Sequence, residues 1–297
     1  MQRREFLATS WVAGVAAVGG VASLARAQSD VPPRQPNESW LAYQARLAKA
    51  KVKQKAAQAV EVVKRTTESY YELRRYDLET QDQKTALDKY LSEAALPAFN
   101  RAGIKPVGVF YPDQGLSPIY VLLPHKTLAS FVALAQKLAE DKDYATKAAD
   151  FLNAPADKPV FKNLEVQLLA PLPGMTQVET PTNASGRIFQ LRTYESPSEK
   201  AGVKKIEMFD TSEIAIFRKV GLHPVFFGQT VAGGKMPSLT YMLGFQDRQE
   251  SDDNWKKFGA DPDWQKLSTT PEYTDKELIR KDGITNLYLK PASYSQI

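Results

Sequence analysis

Apolar and polar residues alternate along Tyr70–Tyr76 and again along Ile188–Tyr194, the two-residue period of a strand with two distinct faces. After the first of these the period changes. Leu87, Tyr90, Leu91, Ala94, Ala95 and Phe99 recur at three- and four-residue spacing, which predicts an amphipathic helix stopped near Gly103. Lys105–Tyr111 and Pro118–Leu123 are rich in β-formers and flank the turn sequence Pro112-Asp113-Gln114-Gly115. A second helix carries Leu128, Phe131, Val132, Ala135 and Leu138, and a last strand falls at Leu164–Leu169. The same order then recurs. Strands are predicted near Ile188–Tyr194, Val225–Val231, Leu239–Phe245 and Thr285–Lys290, with a long helical stretch over Ser198–Val220 and a shorter one around Asp252–Leu267.

The two runs are copies in one register. Leu73-Arg74 and Tyr76 reappear as Leu191-Arg192 and Tyr194, an offset of 118 (191 − 73). The same offset carries Phe99 to Phe217, Gly103 to Gly221, Pro106 to Pro224 and Val107 to Val225. A period of this size is a duplicated domain, too long for a solenoid unit. The predicted fold is therefore α+β: two tandem ferredoxin-like βαββαβ repeats. Each repeat has helices on one sheet face only, so the other face needs a cover. The second repeat is the simplest one, and two sheets meeting within one chain close an α+β barrel of the dimeric type. The alternative pairs each repeat with another chain.

The flanks divide the chain further. Residues 1–27 read as a twin-arginine signal peptide: Arg3-Arg4-Glu5-Phe6-Leu7, a weakly apolar run from Ala8 to Leu24, and the small-x-small pattern Ala25-Arg26-Ala27. Export to a periplasm is expected, with membrane contact only through this segment if it stays uncleaved. Residues 28–69 form a polar leader followed by a helix with a thin stripe of Trp40, Tyr43, Leu47 and Ala50, read either as a brace or as an oligomerisation helix. The first repeat spans 70–171, a Pro- and Thr-bearing linker 172–186, and the second repeat 187–297. The net charge of +5 falls to +3 once Arg3, Arg4, Arg26 and Glu5 are removed, which gives no footprint for nucleic acid. With no cysteine, disulfides, thiolate nucleophiles and cysteine-ligated metals are excluded.

Candidate chemistry comes from the strand alternation. Tyr71 and Leu73, like Phe189 and Leu191, suit packing beneath the helices. That sends Glu72, Arg74 and Tyr76, with Gln190, Arg192 and Tyr194, toward the space where the sheets meet. Two guanidiniums among tyrosines suit a small planar or anionic organic ligand. They equally suit internal ion pairing across a buried seam. His223, just ahead of a strand, is a lesser candidate. His125 has no counterpart in register with it, so no metal site and no cofactor is expected. Asp252-Asp253-Asn254 reads as a helix N-cap cluster, Gly233-Gly234 as a hairpin turn, and Trp255, Phe258 and Trp264 as core aromatics.

The strings Phe189–Tyr194, Ile214–Val225, Ser238–Arg248 and Asp253–Lys266 resemble the NIPSNAP family, whose members share an E-L-R-x-Y opening and a W-x-x-F-x-x-D-P-x-W helix pair. The first repeat keeps Glu72-Leu73-Arg74-Arg75-Tyr76 and Gly103 but not the two-tryptophan segment, and the second has Gln190 where Glu is usual. The resemblance implies the dimeric α+β barrel fold and no particular reaction. Three functions stay open: an exported binding protein with a small organic ligand, a cofactor-free monooxygenase or isomerase of the barrel superfamily, and an interaction module that self-associates or holds a protein partner.

Overall fold

The computed structural model describes residues 69–297, together with Glu38, Ala42, Tyr43, Arg46 and Lys49. The signal segment, the leader and most of the helix expected before residue 69 lie outside the described residues. The chain divides into two units at Thr66/Thr67. In the first, Ala42, Tyr43, Arg46 and Lys49 are helical, and Arg46 Nε and Nη2 donate to the Glu38 carboxylate at 2.9 and 2.7 Å.

The second unit runs β1 (Tyr70–Asp77), α1 (Gln81–Lys89), α2 (Leu96–Arg101), β2 (Gly108–Pro112), β3 (Ile119–His125), α3 (Leu128–Glu140), α4 (Lys142–Lys147), α5 (Ala149–Leu152) and β4 (Asn163–Pro171). The second repeat follows as β5 (Ile188–Glu195), α6 (Glu199–Met208), α7 (Ile214–Val220), β6 (His223–Ala232), β7 (Ser238–Phe245), α8 (Arg248–Ala260), α9 (Pro262–Ser268), α10 (Asp275–Leu278) and β8 (Ile284–Pro291). Local sequence sets the helix ends. The Thr80 hydroxyl accepts from Gln83 N, and Ser198 does the same for Ala201 N. At the other ends Gly103 and Gly221 take the left-handed conformation, φ 89° and 87°, that lets a helix stop within one residue. Ser198–Val220 is not one regular helix: a π-helical segment, Phe209–Glu213, interrupts it, and the first repeat has its own at Tyr90–Ala95.

The strands form a closed barrel in the order β1-β3-β2-β8-β5-β7-β6-β4, every neighbouring pair antiparallel. Each repeat contributes four strands. The two seams, β2 with β8 and β4 with β6, join the second strand of one repeat to the last strand of the other. No sheet edge remains open, and the barrel closes within the chain.

Three apolar cores result. Tyr71, Leu73, Phe110, Leu122, Phe189, Leu191, Phe226 and Met242 fill the barrel, and the C-terminal Ile297 is fully buried among them. The other two lie between the sheet and the helices of each repeat: Tyr76 with Leu87, Leu91 and Phe99, and Tyr194 with Phe209, Phe217 and Tyr241.

This distribution reverses the expected faces. Tyr71, Leu73, Phe189 and Leu191 point into the barrel, whereas Tyr76 and Tyr194, with the side chains two and four residues before them, lie beneath the helices. The reason is geometric. An eight-stranded barrel is just wide enough for its own side chains to fill, so its interior is a packed core. Both strand faces are buried, and apolar character alone no longer identifies the helix side. A second correction concerns Asp252-Asp253-Asn254. It lies inside α8, and the N-cap is Asp247, whose carboxylate accepts from Glu250 N at 2.9 Å.

Candidate functional site

The helix–sheet seam of the first repeat is electrostatically closed. Glu72, 3% exposed, receives Arg74 Nε on one oxygen at 2.6 Å and His125 Nε2 on the other at 2.8 Å. Burial would push the Glu72 carboxyl up, but the His125 hydrogen bond and the Arg74 charge hold it below the usual range. The Arg74 guanidinium rests over the Phe99 ring, 5.3 Å from its centroid. His125 Nδ1 lies 3.2 Å from Ser130 Oγ, which gives the outline of a Ser–His–Glu triad. It cannot work as one. Ser130 Oγ donates to the Thr127 carbonyl at 2.9 Å in the first turn of α3, and His125 is 1% exposed. The seam is a structural lock.

The second repeat holds different residues at the same places. Gln190 stands where Glu72 stands, and no carboxylate among the described residues lies within ion-pairing distance of Arg192. The Gln190 amide is turned elsewhere: its Oε1 accepts from the Trp255 indole at 2.6 Å, and its Nε2 donates to Asn286 Oδ1 at 2.8 Å. Arg192 lies over Trp255 at 4.8 Å and over Tyr194 at 5.3 Å, and its Nε is buried without a hydrogen-bond partner. A cleft of about 520 Å³ opens over this guanidinium, lined by Gln190, Arg192, Trp255, Asn286 and Tyr288, with Asp252 and Lys256 beside them. The Tyr288 hydroxyl is 3.1 Å from Ser251 Oγ, and Arg248 covers its ring at 3.7 Å.

Behind Arg192 the seam carries polar residues where the first repeat is apolar. The offset of 118 sets Lys205 against Leu87 and Glu213 against Ala95. Strand pairing sets Tyr241, opposite Arg192, against Val121, opposite Arg74. Lys205 is 2% exposed, and its ammonium pairs with Asp275 at 3.2 Å. Tyr194 and Tyr241 share a hydrogen bond of 2.9 Å between their hydroxyls. Glu213, also 2% exposed, closes the π-helical segment, and its Oε2 has no hydrogen-bond partner. Burial pushes its carboxyl up to about 8 against the opposing charges of Lys205 and Arg192. Burial likewise lifts Tyr194 to about 12.

Of the residues singled out from sequence, Gln190 and Arg192 line the cleft and Tyr194 lies under Arg192. Glu72, Arg74 and Tyr76 form the closed counterpart in the other repeat. The strand interior expected to join the two sets instead separates them. His223 is exposed at the start of β6 and lies outside the cleft lining. Sequence reasoning passed over Lys205, Glu213 and Tyr241, although comparing the copies position by position marks all three. It also missed His125 as the partner of Glu72. A second cavity, at the barrel mouth beside Arg75, Glu165 and Lys235, holds only about 40 Å³. Among the described residues no three His, Cys, Asp or Glu side chains converge as a metal site, and no helix is long and apolar enough to cross a membrane.

The fold is similar to that of a candidate monooxygenase from Fusobacterium nucleatum, at 8% identity over 76% of this chain and 93% of that one, with a TM-score of 0.51. A candidate monooxygenase from Lactobacillus acidophilus matches at 9% identity over 75% and 94%, also with a TM-score of 0.51. Such identities establish the barrel and nothing of its chemistry. A NIPSNAP-like domain protein from Burkholderia xenovorans matches at 21% identity over 37% of this chain and 88% of that one, with a TM-score of 0.33. A search of curated proteins gave no match. The NIPSNAP family profile matches twice, over residues 71–173 and 189–296, so both repeats are NIPSNAP domains and the chain belongs to the NIPSNAP family.

Proposed function

We propose that the protein binds a small, planar organic anion in the helix–sheet cleft of the second repeat. One observation carries this reading: Arg192 sits at the cleft without the carboxylate that saturates Arg74 in the first repeat. A guanidinium is recruited by carboxylates and other delocalised anions, and it keeps its charge whether or not one arrives. Trp255 and Tyr288 bring aromatic side chains to the cleft lining, and Asn286 and Gln190 bring amides.

The test is titration of the purified protein with benzoate, read by tryptophan fluorescence. Arg192→Met keeps the stem, removes the charge and abolishes binding, while Arg74→Met leaves affinity intact in whatever fraction stays folded. Binding that survives Arg192→Met at full strength overturns the assignment. Native mass spectrometry of the protein from its own host then identifies the natural ligand. The proposed setting is the periplasm, after export of the folded chain by the twin-arginine route. That is supported by Arg3-Arg4 and the Ala25-Arg26-Ala27 pattern, and replacing both arginines by lysine strands the precursor in the cytoplasm.

A further inference from the structure

We infer that Asn286 is the specificity-determining residue of the second-repeat cleft and that it selects an aromatic 2-oxo acid, with the carboxylate on Arg192 and the neighbouring carbonyl oxygen on the Asn286 amide. This rests on the anion site proposed above and narrows its ligand class.

A relay of hydrogen bonds fixes which way each amide faces. The Trp255 indole can only donate, so the Gln190 atom 2.6 Å from it is the carbonyl oxygen. The other end of that amide, Nε2, can only donate in turn, so the Asn286 atom 2.8 Å from it is Oδ1. Gln190 is 1% exposed, and water has little access to the middle of the relay. Asn286 is exposed at its open end. Its oxygen is engaged by Gln190, and its Nδ2 donates to no acceptor among the described residues. The free end of the relay is therefore an N–H donor.

Strand register places this donor beside Arg192. Asn286 on β8 pairs directly with Arg192 on β5, and Tyr288 pairs with Gln190. Directly opposed residues share one sheet face with their Cβ atoms about 5 Å apart. All four line the cleft. In the first repeat, by contrast, Arg74 pairs with Val166 and Glu72 with Leu168, so the saturated arginine has an aliphatic neighbour. The unsaturated arginine and the adjacent amide donor occur together, in one repeat only. Arg192 takes a carboxylate, Trp255 and Tyr288 meet a ring, and Asn286 takes a second acceptor close to the carboxylate. A 2-oxo acid carries that acceptor on the next carbon. A methylene there leaves Nδ2 with no ligand atom to bond.

Benzoylformate and phenylacetate are the probes. They share a ring, a carboxylate and the spacing between them, and differ by a carbonyl in place of a methylene. Both are ionised at neutral pH. In calorimetric titrations the wild-type chain binds benzoylformate about fivefold more tightly than phenylacetate, the scale of one neutral hydrogen bond. That ratio falls to about one in Asn286→Leu and in Asn286→Asp. The aspartate keeps an acceptor for Gln190 and loses the donor, so it separates contact with the ligand from support of Gln190. A general loss of affinity acts on both probes and cancels in the ratio. Two results overturn the inference: equal affinities in the wild-type chain, or a preference that survives in Asn286→Asp, which makes Asn286 a support for Gln190 alone. Phenylacetate, with its carboxylate only, separates the two readings. If neither probe binds, the anion site is wrong and the Asn286 contact falls with it. If both bind equally, only the Asn286 contact falls.

Discussion

The two repeats share strand order, helix caps, a π-helical interruption and a Gly-ended second helix, yet they bury opposite kinds of chemistry. In the first, Glu72 satisfies Arg74 and His125 together, and Leu87, Ala95 and Val121 complete an apolar seam. In the second, Gln190, Lys205, Glu213 and Tyr241 stand at those places, leaving an arginine without a carboxylate and a carboxyl oxygen without a donor. Duplication explains how one chain tolerates both. A barrel closed by two copies draws cohesion from each, so one seam can be saturated for stability while the other carries unmet polar groups.

The comparison is most exposed at Glu72. Glu72→Ala leaves a guanidinium and an imidazole buried without their partner, and urea unfolding shows a loss of about 3–5 kcal/mol. Gln190→Ala, at the corresponding position, costs about 1 kcal/mol, the scale of a neutral hydrogen bond. Equal losses would mean that the second seam is as locked as the first.

Next comes the pH response of Glu213. Its folded-state pKa of about 8 exceeds its unfolded value, so folding takes up a proton, and the stability tied to that proton is fully present below about 4.5. It is lost as pH rises toward 8, at up to about 1.4 kcal/mol per unit. Glu213→Gln removes this dependence. The variant outperforms wild type by something on the order of 3 kcal/mol at pH 8 and by little at pH 5. Parallel stability curves from pH 5 to 8 would show that the carboxyl is not held neutral.

A smaller effect tests the open arginine. Gln190→Glu rebuilds the pairing of the first repeat inside the second, and a carboxylate beside Arg192 competes with any anionic ligand. Benzoate affinity falls about tenfold, or about 1.4 kcal/mol, in a titration at neutral pH. Unchanged affinity would place the anion elsewhere. Smallest is Lys205→Leu, which installs the side-chain type of Leu87. Asp275 is exposed, so removing the buried ammonium strands no buried charge, and exchanging it for packing leaves stability unchanged or raises it by about 1 kcal/mol, read as a shift in thermal midpoint. A large loss there would make the Lys205–Asp275 pair a lock in its own right.

Much of the frame was legible. The 118-residue offset, the two periodicities and Gly103 and Gly221 led to the repeats, their element order and closure of the barrel within the chain. Asp252–Asn254 misled because acidic residues also serve within a helix, and Asp247 capped it first. Gln190 and Arg192 do meet at a cleft, but it lies outside the barrel. His223 stayed out at the surface, and Lys205, Glu213 and Tyr241 escaped notice because a lysine, a glutamate and a tyrosine in a helical or strand pattern carry no mark of burial.

By itself, then, the sequence determined what short-range rules encode: where strands and helices begin and end, that the unit is doubled, and that Arg and Tyr share one strand face. Those properties depend on neighbours within a few residues and on comparison of one copy with the other. Tertiary structure alone decided which strand face looks inward, because a closed barrel buries both and alternation has no sign. It alone decided that Glu72 is spent on Arg74 and His125 while Arg192 is left open, because charge satisfaction depends on side chains that meet across the sheet from β3, α8 and the π-helical turn.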